Sequence, residues 1–428
     1  MVLCQFTFKN FKSFKDEATL DMQAAKISEH EDSLIVDRTD GAEFLPVAVI
    51  YGPNGGGKSS VLEAFVYLAR KILSPIITIK EMPVNEEDDD IFKGISIEKR
   101  KTKEFLSLGI EETERYYKFA QNTQNEPSQF EIFFRTNSKE YKYQLFLLKN
   151  EVIEENLFIQ DLKTNDPKIV FERDKDGIYL GEGLESIDVD NIKSSIPLLS
   201  YISITKNIKI IDNVIDWFIN NVILNYDNPF QDRTIILNKG KQGEKQFLDM
   251  LNEMDVNIIG IRPVKDTDGK ITKIFIKHKL NDGSEGELSF EEESSGTRKL
   301  FGLLPFMLQC IKNGNLVIAD EMDAKLHPKL LRYIVELFTN PKINKKGAQL
   351  LFTSHDLTTM KSTIFRRDEI WFAALNQYEA SNLYSLVEFK KENGEKVRKD
   401  ETFDKQYIEG RYGADPYFRT ILDWENLK

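Results

Sequence analysis

The chain has 428 residues, too many for one ordinary domain, and 41% of them are hydrophobic, enough for a substantial core. Thirty per cent are charged and the formal net charge is −12, which leaves nucleic-acid binding only to local basic patches. No run of about 18 apolar residues occurs, and with only Cys4 and Cys310 and no C-x-x-C the expectation is a cytoplasmic protein without membrane span or secretion signal.

Phe6, Phe8 and Phe11, followed by the β-prone residues 19–22, predict strand, turn, strand at the N-terminus. The acid-rich residues 29–43 read as loop. The unbroken apolar run Val47, Ala48, Val49, Ile50 predicts a strand buried on both faces of a parallel sheet. Directly after it comes GPNGGGKSS, residues 52–60, which fits G-x-x-x-x-G-K-[S/T] through Gly52, Gly57, Lys58 and Ser59. Such a loop wraps a polyphosphate in inward-pointing N–H groups. Asn54, Gly55, Gly56 and Ser60 complete it, Lys58 reaches the terminal phosphates, and the Ser59 hydroxyl suits Mg²⁺. Val61, Phe65 and Leu68 then recur at helical spacing, placing the loop at a helix N-terminus.

Residues 85–90, NEEDDD, read as a solvated acidic turn, and Lys99, Arg100, Lys101 and Lys103, between Phe92 and Phe105, as a basic stretch. From 130 to 158 the pattern of Phe130, Ile132 and Phe134, then Tyr141, Tyr143, Leu145 and Leu147, then Val152 and Ile153, predicts an antiparallel meander with a turn at 136–138. Ile210, Ile211, Val214, Ile215 and Phe218, and later Phe247, Leu251 and Met254, predict helices. Strands return at 258–264 and 273–278, joined through Asp266, Asp268 and Gly269. The chain thus divides into an N-terminal lobe, 1–184, a helical insertion, 185–258, and a C-terminal lobe, 259–428.

Three further constellations follow. In NLVIADE, 315–321, four apolar residues end in Asp320 and Glu321, the Walker B pattern: one carboxylate to hold Mg²⁺ and one to position the attacking water. In ESSGT, 293–297, Ser295 and Gly296 open a helix with an apolar face of Leu300, Leu303, Leu304, Met307 and Ile311, offering a hydroxyl and free N–H groups to phosphate, or in the plainer reading an N-cap at Ser295. In GAQLLFTSHD, 347–356, a buried strand delivers His355 to its carboxyl end.

Together with the opening FTFKNFKSFKDE, these motifs resemble the ABC-type ATPase heads of the SMC and RecF class. The single-chain layout and EGRYGADP, 409–416, are more narrowly similar to the AAA-type abortive-infection ATPases of antiphage systems, AbiL-like, RloA-like and PARIS-type. The resemblance implies an α/β fold, a P-loop ABC-type ATPase head with a mixed sheet core, an antiparallel β subdomain and a helical insertion. It also implies ATP and Mg²⁺ as ligands, with Ser295 and Gly296 of a second protomer capping the γ-phosphate in an ATP-sandwich homodimer or higher homo-oligomer. Asp323 becomes the D-loop residue coupling two sites, Glu321 and His355 catalytic residues beside Lys58, and Ser59 and Asp320 the metal ligands. Gln144 and Gln160 are both open as the Q-loop residue. The signature departs from the transporter form LSGGQ at Thr297 and Arg298. No zinc hook is present, the insertion is short for a coiled-coil arm, and the stretch after His355 is short for a Toprim nuclease, so the expected effector, a nuclease or toxin, is a separate chain. The expected function is an ATP-hydrolysing sensor or scaffold subunit answering a phage trigger, protein or nucleic acid. The alternative is a RecF-like DNA-binding repair or maintenance ATPase, contacting DNA through 99–103, 342–346 and Arg366 with Arg367, and a third reading is a transporter ATPase.

Overall fold

The computed structural model describes residues 1–80, 115–220, 222–224, 240–254, 256–267, 271–391 and 394–414. The acidic turn at 85–90, the basic stretch at 99–103 with Phe92 and Phe105, the turn residues Asp268 and Gly269, and Asp415 with Pro416 lie outside the described residues.

A six-stranded sheet forms the centre. Its core is four parallel strands, β5 (Val47–Tyr51), β15 (Leu316–Ala319), β16 (Gln349–Thr353) and β17 (Ile370–Leu375), in the spatial order β15, β16, β5, β17. β11 (Val222–Leu224) adds a parallel edge beside β15, and β18 (Ser381–Ser385) closes the other edge antiparallel to β17. Register sets Thr353 opposite Ile50, Phe372 opposite Tyr51 and Ala319 opposite Phe352. The loops that follow β15, β16 and β5 therefore leave the same edge of the sheet, where open α/β sheets bind ligands.

Apart from Gln349 and Thr353 at the two ends of β16, the central strands are apolar because both faces are covered. Ala48, Ile50, Ile318, Leu351, Trp371 and Ala373 face one core; Val47, Val49, Val317, Phe352, Ile370 and Phe372 face the other. The first core is shared with α1 (Lys58–Lys80), α2 (Leu198–Thr205), α3 (Lys209–Asn220) and a seven-stranded antiparallel sheet running β10, β9, β8, β7, β6, β1, β2. That sheet contains the expected meander as β6 (Ser128–Thr136), β7 (Lys139–Leu148) and β8 (Glu151–Asp161), with the N-terminal pair β1 (Val2–Lys9) and β2 (Ala18–Asp21) beside it. It extends further, through β9 (Asp166–Asp174) and β10 (Gly177–Leu180). The second core takes in α4 (Gly240–Glu253), α5 (Ser295–Asn313), α6 (Pro328–Thr339), α7 (Phe403–Ile408) and the three-stranded sheet of β12 (Gly260–Lys265), β13 (Ile271–Lys279) and β14 (Glu285–Ser289).

Residues 185–258 contribute to both cores and to the central sheet: α2 and α3 pack on the first, α4 on the second, and β11 extends the sheet. A buried carboxylate pins the start of this region. Glu155 on β8 accepts hydrogen bonds from the N–H groups of Leu198 and Leu199 at 2.5 and 2.9 Å and from the Tyr143 hydroxyl at 2.9 Å. It thereby meets the unsatisfied donors at the N-terminus of α2.

Candidate nucleotide-binding site

The glycine loop turns directly from β5 into α1, and its glycines are demanded by contact. A Cβ at Gly52, where φ is +151°, would lie 2.1 Å from the Ala373 carbonyl oxygen on β17. At Gly57, with φ +103°, it would meet the Ser381 hydroxyl at 2.5 Å and the Phe14 ring at 2.9 Å. The loop is thus pressed against β17, β18 and the β1–β2 turn. The Lys58 side chain folds beneath it and donates to the carbonyls of Gly52 (2.9 Å) and Pro53 (3.1 Å). Burial lowers the Lys58 pKa, and Asp320, Glu321 and Asp323 pull it back up. Asn54 and Gly55 sit exposed at the crest, while Ser59 and Ser60 are half-buried in the first turn of α1.

The carboxylates arrive from β15 and are organised by β16. Thr353, fully buried at the end of β16, donates its hydroxyl to Asp320 Oδ1 at 2.5 Å and accepts the Glu321 N–H at 2.7 Å. Glu321 has φ +45°, a left-handed conformation that costs a non-glycine residue about 1–2 kcal/mol. The chain then makes a tight turn, and Asp323 Oδ1 accepts the His355 N–H at 3.1 Å. Asp323, the expected D-loop residue, and His355, exposed beyond β16, are thereby joined within one protomer.

Lys299, the fifth residue of α5 and only 5% exposed, donates to the carbonyls of Glu321 (3.2 Å), Met322 (3.0 Å) and Ala324 (2.5 Å). Burial pushes its pKa down to about 8, opposed by Asp323 and Glu321. The signature helix and the turn after Walker B are one hydrogen-bonded unit. The N-cap of α5 is Ser294, whose hydroxyl accepts the Thr297 N–H at 3.1 Å, and not Ser295. Ser295 is exposed with its hydroxyl outside the cap, and Gly296 lies against the Lys325 backbone. An extra serine before the expected one captures the cap geometry.

The donor set suits Mg²⁺. Ser59 and Asp320 offer hard oxygens, and Mg²⁺ characteristically takes one or two protein oxygens together with waters and phosphate oxygens. Among the described residues no group of three or more His, Cys, Asp or Glu forms a dedicated metal cage, and Cys4 and Cys310 are buried free thiols.

Other expected contacts are placed elsewhere. Gln144 and Gln160 lie on β7 and β8, bonded to Glu131 and to Asn165. Arg366 is fully buried between Asp368 and the Glu29 and Ala25 carbonyls, and Arg367 pairs with Glu29, so neither offers a DNA contact; Lys342, Lys345 and Lys346 are exposed. Four residues of the site carried no expectation: Thr353, Lys299, Lys12 and Ser13. Ser13 Oγ lies 3.4 Å from Ser60 Oγ, and Lys12 pairs with Glu63 on α1. The signals were a hydroxyl ending the apolar run LLFT and a lysine near the start of an apolar helix.

No helix among the described residues is long and apolar enough to cross a membrane. Two solved structures are similar over most of the chain: "SMC head domain from Thermotoga maritima", 16% identical, covering 90% of this chain and 99% of that one with a TM-score of 0.42; and "Crystal structure of the SmcHead bound to the C-winged helix domain of ScpA", 12% identical, covering 90% and 97% with a TM-score of 0.42. No curated protein matches. A family model described as "AAA domain, putative AbiEii toxin, Type IV TA system" matches residues 47–361. That match takes in the glycine loop, ESSGT, both Walker B carboxylates and His355 and spans well over half of the sequence, and the chain belongs to this AAA-domain family.

Proposed function

We propose that the chain is a Mg²⁺-dependent ATPase that works as an ATP-sandwich dimer, and that it is the sensor or scaffold subunit of a bacterial antiphage system controlling a separate toxic effector. The observation that carries the enzymatic reading is the convergence, at one edge of the parallel sheet, of Lys58 in the glycine loop with Asp320 and Glu321, both fixed by Thr353. The loop N–H groups and Lys58 bind the phosphates. Glu321 orients a water in line with the terminal phosphate and takes up its proton as the bond to the leaving oxygen breaks. Ser59 and Asp320 would hold Mg²⁺, which when bound would supply charge neutralisation at the phosphate oxygens.

The exposed Ser295, with the half-buried Gly296 beside it, favours a composite site, because a hydroxyl outside the cap at a helix N-terminus is free to meet a phosphate held by a second copy. His355 reaches the same phosphate, and Asp323 couples the two sites. ATP then favours the closed dimer, and hydrolysis releases it, which is how the effector is held or let go. The family's description ties it to a toxin and supports that wider role.

The test is ATP turnover against protein concentration, with Glu321→Gln alongside. Specific activity rises with concentration, and Glu321→Gln lowers kcat by about a hundredfold or more while leaving ATP bound. Constant specific activity from a monomer, with an active Glu321→Gln, overturns the reading. Phage plating on cells carrying the wild type or Glu321→Gln, with the flanking genes, tests the defence role.

A further inference from the structure

The two most exposed large apolar side chains among the described residues are Tyr378, at 73%, and Phe119, at 71%. They stand on one wall. Tyr378 lies in the β17–β18 turn and Phe119 in the segment after residue 115, and the two are joined through Tyr117. The buried Tyr117 donates its hydroxyl to the Tyr378 carbonyl at 3.0 Å, and its ring meets that of Phe119 edge-on, centroids 5.8 Å apart.

This wall is rigid. Asn376 Oδ1 accepts the N–H groups of Tyr378 (2.9 Å) and Ala380 (3.1 Å), fixing the turn. Asn10, fully buried, accepts the Tyr117 N–H at 3.0 Å and donates to the carbonyls of Thr123 and Glu126, both at 2.9 Å. The wall is also part of the loop's surroundings. The Ser381 N–H donates to the Ser13 carbonyl at 2.7 Å, the Ser13 hydroxyl lies by Ser60, and Gly52 and Gly57 abut Ala373 and Ser381.

Its side of the site is the informative part. The terminal phosphate belongs on the β15 and β16 side, with Asp320, Glu321 and His355. A nucleotide lying across the sheet edge then runs over β5 toward β17 and β18. From β15 to β17 is three strand spacings, about 14 Å, a span suited to a triphosphate with its nucleoside.

We propose that Tyr378 and Phe119 are the stacking platform for the purine base of the bound nucleotide; this rests on the reading of the glycine loop as an ATP site. Stacking on an exposed ring buries apolar area on both partners, which accounts for two aromatic side chains left in water on fixed backbone.

Isothermal titration with Mg-ATP and with Mg-tripolyphosphate tests it, using the full chain, Tyr378→Ala, Phe119→Ala and the double variant, with melting temperatures as a check on folding. Each alanine weakens ATP by about tenfold, the double variant by more, and tripolyphosphate binding is unchanged. Tyr378→Trp retains ATP affinity. Equal weakening of ATP and tripolyphosphate would mean that the variants disturb the loop, and unchanged ATP affinity that the base lies elsewhere; either overturns the platform while the ATP site stands. A wild-type chain that binds neither ligand removes the ATP reading and the platform with it.

Discussion

Thr353 shows how little of a site needs to be charged to be decisive. One hydroxyl has one proton to donate and lone pairs to accept, and here both capacities are used on adjacent residues, Asp320 and Glu321. Thr353→Val keeps the shape and removes both bonds, leaving Asp320 free to rotate and the Glu321 N–H unpaired. The magnesium concentration for half-maximal activity then rises by about tenfold and turnover falls by about tenfold to a hundredfold, as for other supports of metal ligands. Thr353→Ser, which retains the hydroxyl, stays near wild type; a magnesium titration of turnover for the pair distinguishes the bond from mere bulk. Lys58, Asp320, Glu321 and His355 stood out in the sequence because each follows a recognisable apolar run or glycine loop. Thr353 did not, because one hydroxyl ending a strand becomes informative only once β16 lies between β15 and β5.

At the scale of elements, apolar spacing carried β5, β15, β16 and α5 well, since strands covered on both faces keep their interior positions apolar. It carried α1 less far. Pro75 has no N–H and crowds the preceding turn, yet the helix runs on to Lys80 because Ile72, Leu73 and Ile76 are all buried in the first core. β9 and β10 escaped notice because they are the outer strands of the antiparallel sheet and carry little apolar alternation, and β11 because its three apolar residues, Val222–Leu224, are too few to show a period. The link between α5 and the turn after Walker B was equally hidden, being a lysine bound to three backbone carbonyls far from it in sequence. Lys299→Met leaves those carbonyls without their shared donor and frees the left-handed Glu321. Turnover falls by about tenfold to a hundredfold through misplacement of the carboxylate. The KM for ATP stays close to wild type, because the side chain touches the turn and not the glycine loop. Steady-state kinetics separate the two effects, and a change confined to KM would contradict the assignment.

The described residues form two cores back to back across one sheet, and the N-terminal segment is tied to the segment before β17 by buried charge. Arg366 bonds to Asp368 and to the Ala25 and Glu29 carbonyls, and Arg367 pairs with Glu29, so the first thirty residues are fastened to the segment before β17. Glu369 lies in the same network, fully buried, and one of its oxygens finds no donor. Burial, helped by Asp368 and Glu29 and opposed by the Arg366 N–H and guanidinium, raises its pKa from 4.5 to about 8. The folded chain therefore holds this proton at pH values where the unfolded chain has lost it. Below about 4.5 both states are protonated and the contribution to stability is fully present. As pH climbs from there the unfolded state binds fewer protons than the folded one, so stability falls, at up to about 1.4 kcal/mol per pH unit, until the folded carboxyl itself ionises near 8. Glu369→Gln stays neutral throughout and removes this share of the slope. Urea midpoints measured from pH 5 to 9 accordingly converge or cross for the two proteins on the alkaline side, the wild type losing more; parallel profiles would show that Glu369 is ionised in the fold and that its charge is satisfied within the arginine network.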